Sequence, residues 1–325
     1  MHNDLRVLTG NAHPALAKAI CKHLGVTLTP AEVFQFSNEN IFVRLLESIR
    51  GKDTFIIQPF SSPVNDHIME LLVMLDTCKR ASAGHITAVI PYYSYGRSDK
   101  KDQPRVPITA RLIADLITVA GANRVVTIDL HAQQIQGFFN VPMDELRALP
   151  LLARYFRKKR LNPDRIVVVS PDIGAAKRAR DLAAMFGVPN QFAIINKRRD
   201  PVTSKVTAEN IIGDVAGRTA IMIDEEINTG GSVLAAAKSL TAAGAGDIYV
   251  CCTHAVFSGD YREHLNAFPF KEIIVTDTLP LPQEESLPPE QRLRSLQVVS
   301  VAPLLGDVIK CVHTGESLGK MLGER

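Results

Sequence analysis

Nine short apolar runs rich in β-branched residues recur along the chain: RVLTG, TFIIQ, HITAVIPYY, RVVTIDLH, RIVVVSPD, QFAIINK, RTAIMID, DIYVCCTHAVF and EIIVTDT. Each is apolar at successive positions and rich in β-branched residues, so each fits a buried strand better than a helix turn. Between them lie segments with apolar residues three and four apart, among them NDHIMELLVMLDTCKRASAG, ITARLIADLITVAGA and GSVLAAAKSLTAAGA. A glycine stands at or beside the end of each, where a chain leaving a helix needs it. Strands and helices that alternate bury these surfaces by laying helices over a sheet through right-handed crossovers. The sequence therefore predicts an α/β protein with mostly parallel sheets.

Part of the pattern occurs twice. Ala114, Thr118, Ala120, Gly121, Ala122, His131 and Ala132 return at an offset of 123 residues as Ala237, Thr241, Ala243, Gly244, Ala245, His254 and Ala255. Both copies read as helix, glycine turn, strand and a His-Ala at the strand's carboxyl end, which predicts two copies of one fold. The 325 residues suffice for two domains with separate cores. The expected division is residues 1–150 and 151–303, with the C-terminal helix of 304–325 returning to the first domain. The proline-rich LPLPQEESLPPEQR is expected as a mobile surface loop.

Composition narrows the function. With 46% hydrophobic and 22% charged residues the chain is not mainly disordered. A net charge of +3 gives no basis for a nucleic-acid partner or a polybasic membrane patch. No apolar run approaches the roughly 20 residues of a membrane helix. The five cysteines form no CxxC pair, and MHNDLRVLTG has neither a basic nor an apolar leader region, so a reduced, cytoplasmic protein is expected.

Ligands of parallel sheets bind beyond the carboxyl ends of strands. In RTAIMIDEEINTGGSVLAAAKSL, the residues Thr229, Gly230, Gly231 and Ser232 form a small-residue turn at a helix start, where unpaired N–H groups attract a phosphate. Asp224 and Glu225 just ahead suit sugar hydroxyls or a magnesium ion. The combination predicts a sugar-phosphate site. Arg97, Asp99, Lys100 and Lys101 follow the strand HITAVIPYYSY, and Arg97 can grip phosphate oxygens with two N–H groups. His131 and Asp172 each end an apolar strand. Lys197, Arg198 and Arg199 follow QFAIIN and open a polar stretch, DPVTSKVTAEN, expected to be a mobile flap.

These residues lead to a resemblance. DLHAQQIQGFF, IPYYSYGRSDKK, SSPVNDHIMELLVMLDTCKRASA, PITARLIADL, VVSPDIGAAKRAR, NKRRDP, IIGDVAGRTAIMID and SVAPLLGDVI are similar to the ribose-phosphate pyrophosphokinases of the phosphoribosyltransferase-fold superfamily, over nearly the whole chain. The resemblance implies two phosphoribosyltransferase-type domains and magnesium-dependent pyrophosphoryl transfer from ATP to ribose 5-phosphate, giving phosphoribosyl pyrophosphate and AMP. It implies a metal site at His131 and Asp172, and a lid carrying the catalytic Lys197 and Arg199. ATP would meet Phe36, Asn38, Asn40, Arg97, Asp99, Lys100 and Lys101. Ribose 5-phosphate would meet Asp172, Asp224, Glu225, Asn228, Thr229, Gly230, Gly231 and Ser232. Ser48, Arg50 and Ser82 match a regulatory anion site, with ADP and phosphate as effectors, in dimers assembled into a hexamer. The chain departs from the family pattern at FSNEN, where FSDGE is usual, and at Glu225 and Asn228, where aspartates are usual. Two alternatives stay open: a phosphoribosyltransferase that consumes phosphoribosyl pyrophosphate, and a weak or silent paralogue that binds nucleotide and assembles with an active synthetase.

Overall fold

The computed structural model describes residues 4–199, 206–282 and 284–319, with the side chains of 197–199, 206–209, 285 and 290 also outside that description. The chain forms two units, one from Met1–Arg147, Thr278–Pro280 and Ser300–Arg325, the other from Ala148–Asp277 and Leu281–Val299.

The first unit begins with β1 (Leu5–Thr9), α1 (Pro14–Leu24) and a hairpin of β2 (Ala31–Gln35) and β3 (Ile41–Leu45). It continues with β4 (Asp53–Ile57), α2 (Val64–Arg80), β5 (His85–Ile90), α3 (Thr109–Ala120), β6 (Arg124–Ile128) and β7 (Met143–Leu146). The five-stranded sheet runs β1-β4-β5-β6-β7, parallel throughout. Its strands read as continuous apolar runs because both faces are covered. Leu8, Ile56, Ala88, Ile90 and Val125 point into one core with α2 and α3, while the alternating Val7, Phe55, Ile57, Val89 and Val126 are buried as well.

The second unit comprises α4 (Leu149–Lys158), β8 (Ile166–Ser170), α5 (Ala176–Met185), β9 (Phe192–Arg199), β10 (Val206–Ile212) and β11 (Thr219–Ile227). There follow α6 (Gly231–Ala242), β12 (Ile248–Ala255), α7 (Tyr261–Asn266), β13 (Glu272–Thr276) and β14 (Leu296–Val299). The seven-stranded sheet has the order β10-β9-β8-β11-β12-β13-β14 and is parallel except for β10. Successive residues face opposite layers. Val167, Val169, Ala220, Met222, Val250 and Cys252 meet α6, and Ile166, Val168, Ile221, Ile223 and Cys251 meet α4 and α5. In the first unit, the C-terminal α8 (Ala302–Thr314) lies on α1, with His23 Nε2 2.8 Å from Asp307 Oδ1. His313 Nδ1 on the same helix is 2.8 Å from Asp53 Oδ2.

The internal repeat is visible bond by bond. Thr118 Oγ1 donates to the Ala114 carbonyl as Thr241 Oγ1 donates to Ala237. Gly121 N–H reaches Thr118 O as Gly244 N–H reaches Thr241 O, and Ala122 N–H reaches Ile117 O as Ala245 N–H reaches Leu240 O. Two expectations need correction. The stretch expected as a flap is in part strand: from Val206 the chain pairs antiparallel with β9, because the backbone edge of β9 offers a ladder. Residues 200–205 of that stretch lie outside the described residues. The proline-rich loop is tied down by side chains. Arg262 Nη1 donates to Glu284 Oε2 at 2.9 Å and to Gln291 O at 2.8 Å, and Arg292 Nε donates to Leu287 O at 2.8 Å. No described helix is long and apolar enough to cross a membrane.

Candidate functional site

In the second unit the chain leaves β8 for β9 on one side and returns to β11 on the other. Connections that diverge in this way open a crevice at the carboxyl ends of the two central strands. Pairing of β11 with β8 ends at Met222 and Val169, whereas β11 continues to Ile227 along β12. Asp224 and Glu225 therefore lie on a stretch of strand that has outrun its partner on the β8 side, and both are half-buried.

The Glu225 N–H donates to Asp224 Oδ1 at 2.8 Å, and Arg178 Nη2 of α5 lies 4.0 Å from Glu225 Oε2. Burial holds the Asp224 carboxyl well above the usual carboxylate range; a side-chain hydrogen bond with Glu225, its charge and the charge of Asp172 add to the effect, and the Glu225 N–H opposes it. Hydroxyl donors or a cation placed beside the acid would favour its ionised form and offset that burial. Asp172 stands exposed in the turn after β8, where its Oδ1 accepts from Ala175 N–H at 3.0 Å. Among the described residues no bond occupies its Oδ2, which can serve a hard cation or a sugar hydroxyl.

The loop after β11 carries Asn228, Thr229, Gly230, Gly231 and Ser232 into α6. Gly230 has φ +78°, a left-handed backbone that suits glycine. Among the described residues no side chain caps α6, so its first N–H groups can serve an anion. Ser258 Oγ donates to Asn228 Oδ1, and Ser258 N–H donates to Asn228 O at 3.2 Å. His264 Nδ1 lies 2.8 Å from Thr229 O. Ser258 and His264 had no signal in the sequence, because each meets the site from a distant segment with no motif or spacing to mark it, whereas Arg178 lies within the motif VVSPDIGAAKRAR but carries no feature there that singles it out.

The first unit gathers a second set of strand-end residues. A Cβ on Gly96 would lie 3.3 Å from His131 Cβ, so the loop carrying Arg97, Asp99, Lys100 and Lys101 runs against the loop after β6. Arg97, Lys100, Lys101 and His131 are exposed. Asp99 is not: it is buried, and its Oδ2 accepts from Gln134 Nε2 at 2.6 Å, which joins the two loops. Glu145 does similar service beside His131, accepting from Leu130 N–H at 3.0 Å and Gln136 Nε2 at 2.6 Å.

Phe36, Asn38 and Asn40 sit on the exposed tip of the β2–β3 hairpin. Phe36 is 48% exposed, and its ring centroid lies 5.0 Å from that of Phe34 and 5.6 Å from that of Phe42. Asn38 Oδ1 accepts from Asn40 N–H at 3.3 Å. Elsewhere in the unit Ser48, Arg50 and Ser82 come together: Arg50 Nη1 donates to Ser82 Oγ at 3.3 Å and Arg50 N–H to Ser48 Oγ at 3.4 Å. Lys197 and Arg199 belong to β9, opposite Ala208 and Val206 of β10, and their side chains lie outside the described residues.

Residues 5–121 match the family model for the N-terminal domain of ribose phosphate pyrophosphokinase, and residues 166–323 match that for the phosphoribosyl synthetase-associated domain. A ribose-phosphate pyrophosphokinase of Caldanaerobacter subterraneus subsp. tengcongensis is 50% identical over 319 residues, covering 98% of each chain. One from Clostridium acetobutylicum is 46% identical, covering 99% of this chain and 98% of the relative. The crystal structure of phosphoribosylpyrophosphate synthetase from Mycobacterium smegmatis superposes with a TM-score of 0.88 at 41% identity, covering 96% of this chain and all of that one. With both halves matched by the family's own domains and its relatives aligned from end to end, the chain belongs to the ribose-phosphate pyrophosphokinase family.

Proposed function

We propose that this chain transfers the pyrophosphoryl group of ATP to the anomeric hydroxyl of ribose 5-phosphate, giving phosphoribosyl pyrophosphate and AMP. One observation carries the reading: an acid pair and an uncapped, glycine-turned helix start share the carboxyl end of β11. That arrangement suits a molecule with hydroxyls at one end and a phosphate at the other. In this reading N–H groups of Gly230 to Ser232 hold the 5-phosphate, while Asp224 and Glu225 accept from ring hydroxyls. The anomeric oxygen attacks the β-phosphorus and gives up its proton to solvent, its bond to phosphorus forms, and the bond from that phosphorus to the oxygen bridging to the α-phosphate breaks, the electron pair leaving with AMP. The chain then needs charge neutralisation and in-line placement, and no covalent nucleophile.

For the nucleotide, Phe36 offers a ring face to the base, Asn38 and Asn40 flank it, and Arg97, Lys100 and Lys101 offer cations to the phosphates. Asp99 holds the loop in place through Gln134. Lys197 and Arg199 act on the phosphates from the lid. Each unit offers magnesium a donor suited to a hard or borderline cation: in the second unit Asp172 keeps a carboxylate oxygen beyond its bond to Ala175, and in the first unit His131 stands exposed at a strand end. Either residue could supply a ligand to the ion, which when bound would spread the negative charge of the polyphosphate. We further propose a cytoplasmic homo-oligomer of dimers assembled into a hexamer, with ADP or phosphate acting at Ser48, Arg50 and Ser82.

The test is an assay of the purified chain with magnesium, ATP and ribose 5-phosphate. AMP should form only when all three are present. ADP as the product, or no nucleotide turnover in a folded preparation, would favour a silent paralogue.

A further inference from the structure

The sugar-phosphate loop has a back wall that its own segment does not supply. His264 Nδ1 lies 2.8 Å from the Thr229 carbonyl oxygen. A carbonyl only accepts, so the ring donates through Nδ1–H. The same side chain runs along the glycines: a Cβ on Gly230 would come within 3.4 Å of His264 Cβ, and one on Gly231 within 3.8 Å of its Cε1. The wall is clamped from behind, since Arg262 holds Glu284 and Gln291, and Asn266 Nδ2 donates to Arg292 O at 2.9 Å.

The Thr229 carbonyl and the Gly230 N–H belong to one peptide group, and in a trans peptide they point in opposite directions. Binding the carbonyl on the wall side turns the Gly230 N–H to the other side. That N–H has no partner among the described residues, although Gly230 is buried. Glycine tolerates both orientations of such a peptide, so the backbone alone does not choose between them. We infer that His264 is a positioning residue for the sugar phosphate: by holding the Thr229 carbonyl it aims the Gly230 N–H at the anion. The inference rests on the proposed ribose 5-phosphate site and adds to it a residue that never touches the ligand.

The test measures ribose 5-phosphate binding to the full chain by calorimetry, alongside KM for each substrate and thermal melting. His264→Leu removes the donor and should raise the Kd for ribose 5-phosphate about tenfold, in line with loss of one hydrogen bond. KM for ATP should stay unchanged. His264→Asn carries an N–H close to the position of Nδ1 and should stay within about threefold of the parent. His264→Gln places its N–H one bond further out and should resemble Leu. Parent-like binding by a folded Leu variant, or equal losses in Asn and Leu, would overturn the inference. If the Leu variant does not fold, Gln against Asn decides in the same way. Should the parent bind ribose 5-phosphate yet form no AMP, the reaction falls while the predicted order of affinities still upholds His264. A parent that does not bind ribose 5-phosphate overturns both.

Discussion

Gly230→Ala should strain the loop between β11 and α6 more than the same substitution at a left-handed glycine elsewhere would. At φ +78° an alanine costs roughly 1–2 kcal/mol from its backbone alone. Its methyl group would lie 3.2 and 3.3 Å from Leu265 Cγ and Cδ2 and 3.4 Å from His264 Cβ. Leu265 is buried and cannot swing aside, so crowding adds roughly 1–3 kcal/mol. Restricting the unfolded chain returns about 0.4–1 kcal/mol, so the net cost centres on roughly 2–3 kcal/mol. Gly217→Ala is the control: φ is +68° there, but its Cβ would meet nothing within 4 Å, so its net cost should be only about 1 kcal/mol or less. In thermal melts Gly230→Ala should lower Tm by roughly 4–12 °C and the control by no more than about 2–4 °C. If the loop yields instead of the unit, the cost appears as a ribose 5-phosphate KM raised by about 30-fold or more, because roughly 1.4 kcal/mol is a factor of ten. Equal effects of the two substitutions on Tm, with KM for ribose 5-phosphate unchanged in both, would refute the reasoning.

Asp224 keeps its proton above the usual carboxylate range, so over that window the unfolded chain releases a proton that the folded chain retains, and stability falls as pH rises. Asp224→Asn should therefore raise Tm at neutral pH, lose that advantage below about pH 4, and abolish ribose 5-phosphate-dependent AMP formation; an equal Tm gain at both pH values would contradict the burial argument. Lys197→Ala should lower kcat by at least about a hundredfold with little change in ATP binding, as single-turnover and binding measurements can show, because charge on a lid is used chiefly in the transition state. The double substitution Glu225→Asp with Asn228→Asp should leave kcat/KM for ribose 5-phosphate unchanged or lower, and a gain of about tenfold would identify the present loop as degraded.

The central strands were legible because strands covered on both faces are apolar at every position, as in TFII and VVVS. The β2–β3 hairpin and β10 were not, since AEVFQ, IFVRL and VTAENII are half-exposed or interleaved with polar residues and resemble loops. The acids and the Thr-Gly-Gly-Ser turn could be found because strand, acids and helix start are adjacent in sequence. Ser258 and His264 meet that turn from 30 and 35 residues away, and a contact between separate segments leaves no periodic trace. Phe36 shows a different limit: residue type alone allowed a core phenylalanine or a presented ring, and only the hairpin's exposed tip distinguishes them.

The departures from the family pattern differ physically. At position 228 the hydrogen bonds are indifferent to the substitution, because an aspartate would accept from Ser258 Oγ and N–H as the asparagine does. Charge decides there. The crevice already holds Asp224 with its ionisation suppressed by burial and by the neighbouring Glu225 and Asp172, with Arg178 at 4.0 Å from Glu225 as a nearby cation. A further carboxylate would deepen that suppression, so an uncharged Asn228 leaves the acid pair better able to ionise for a substrate. Glu39 has no comparable advantage. It takes φ +67° at the position where the family pattern has glycine, a conformation costing an ordinary residue roughly 1–2 kcal/mol. Its main chain is nevertheless fastened: the Glu39 N–H donates to Phe36 O at 2.9 Å, and its carbonyl accepts from Gln35 Nε2 at 3.0 Å. The hairpin tip thus holds its turn against the preference of its side chain, and Phe36 stays presented on it. Neither departure removes the geometry its loop has to supply, which favours an active enzyme over a chain that keeps only the fold.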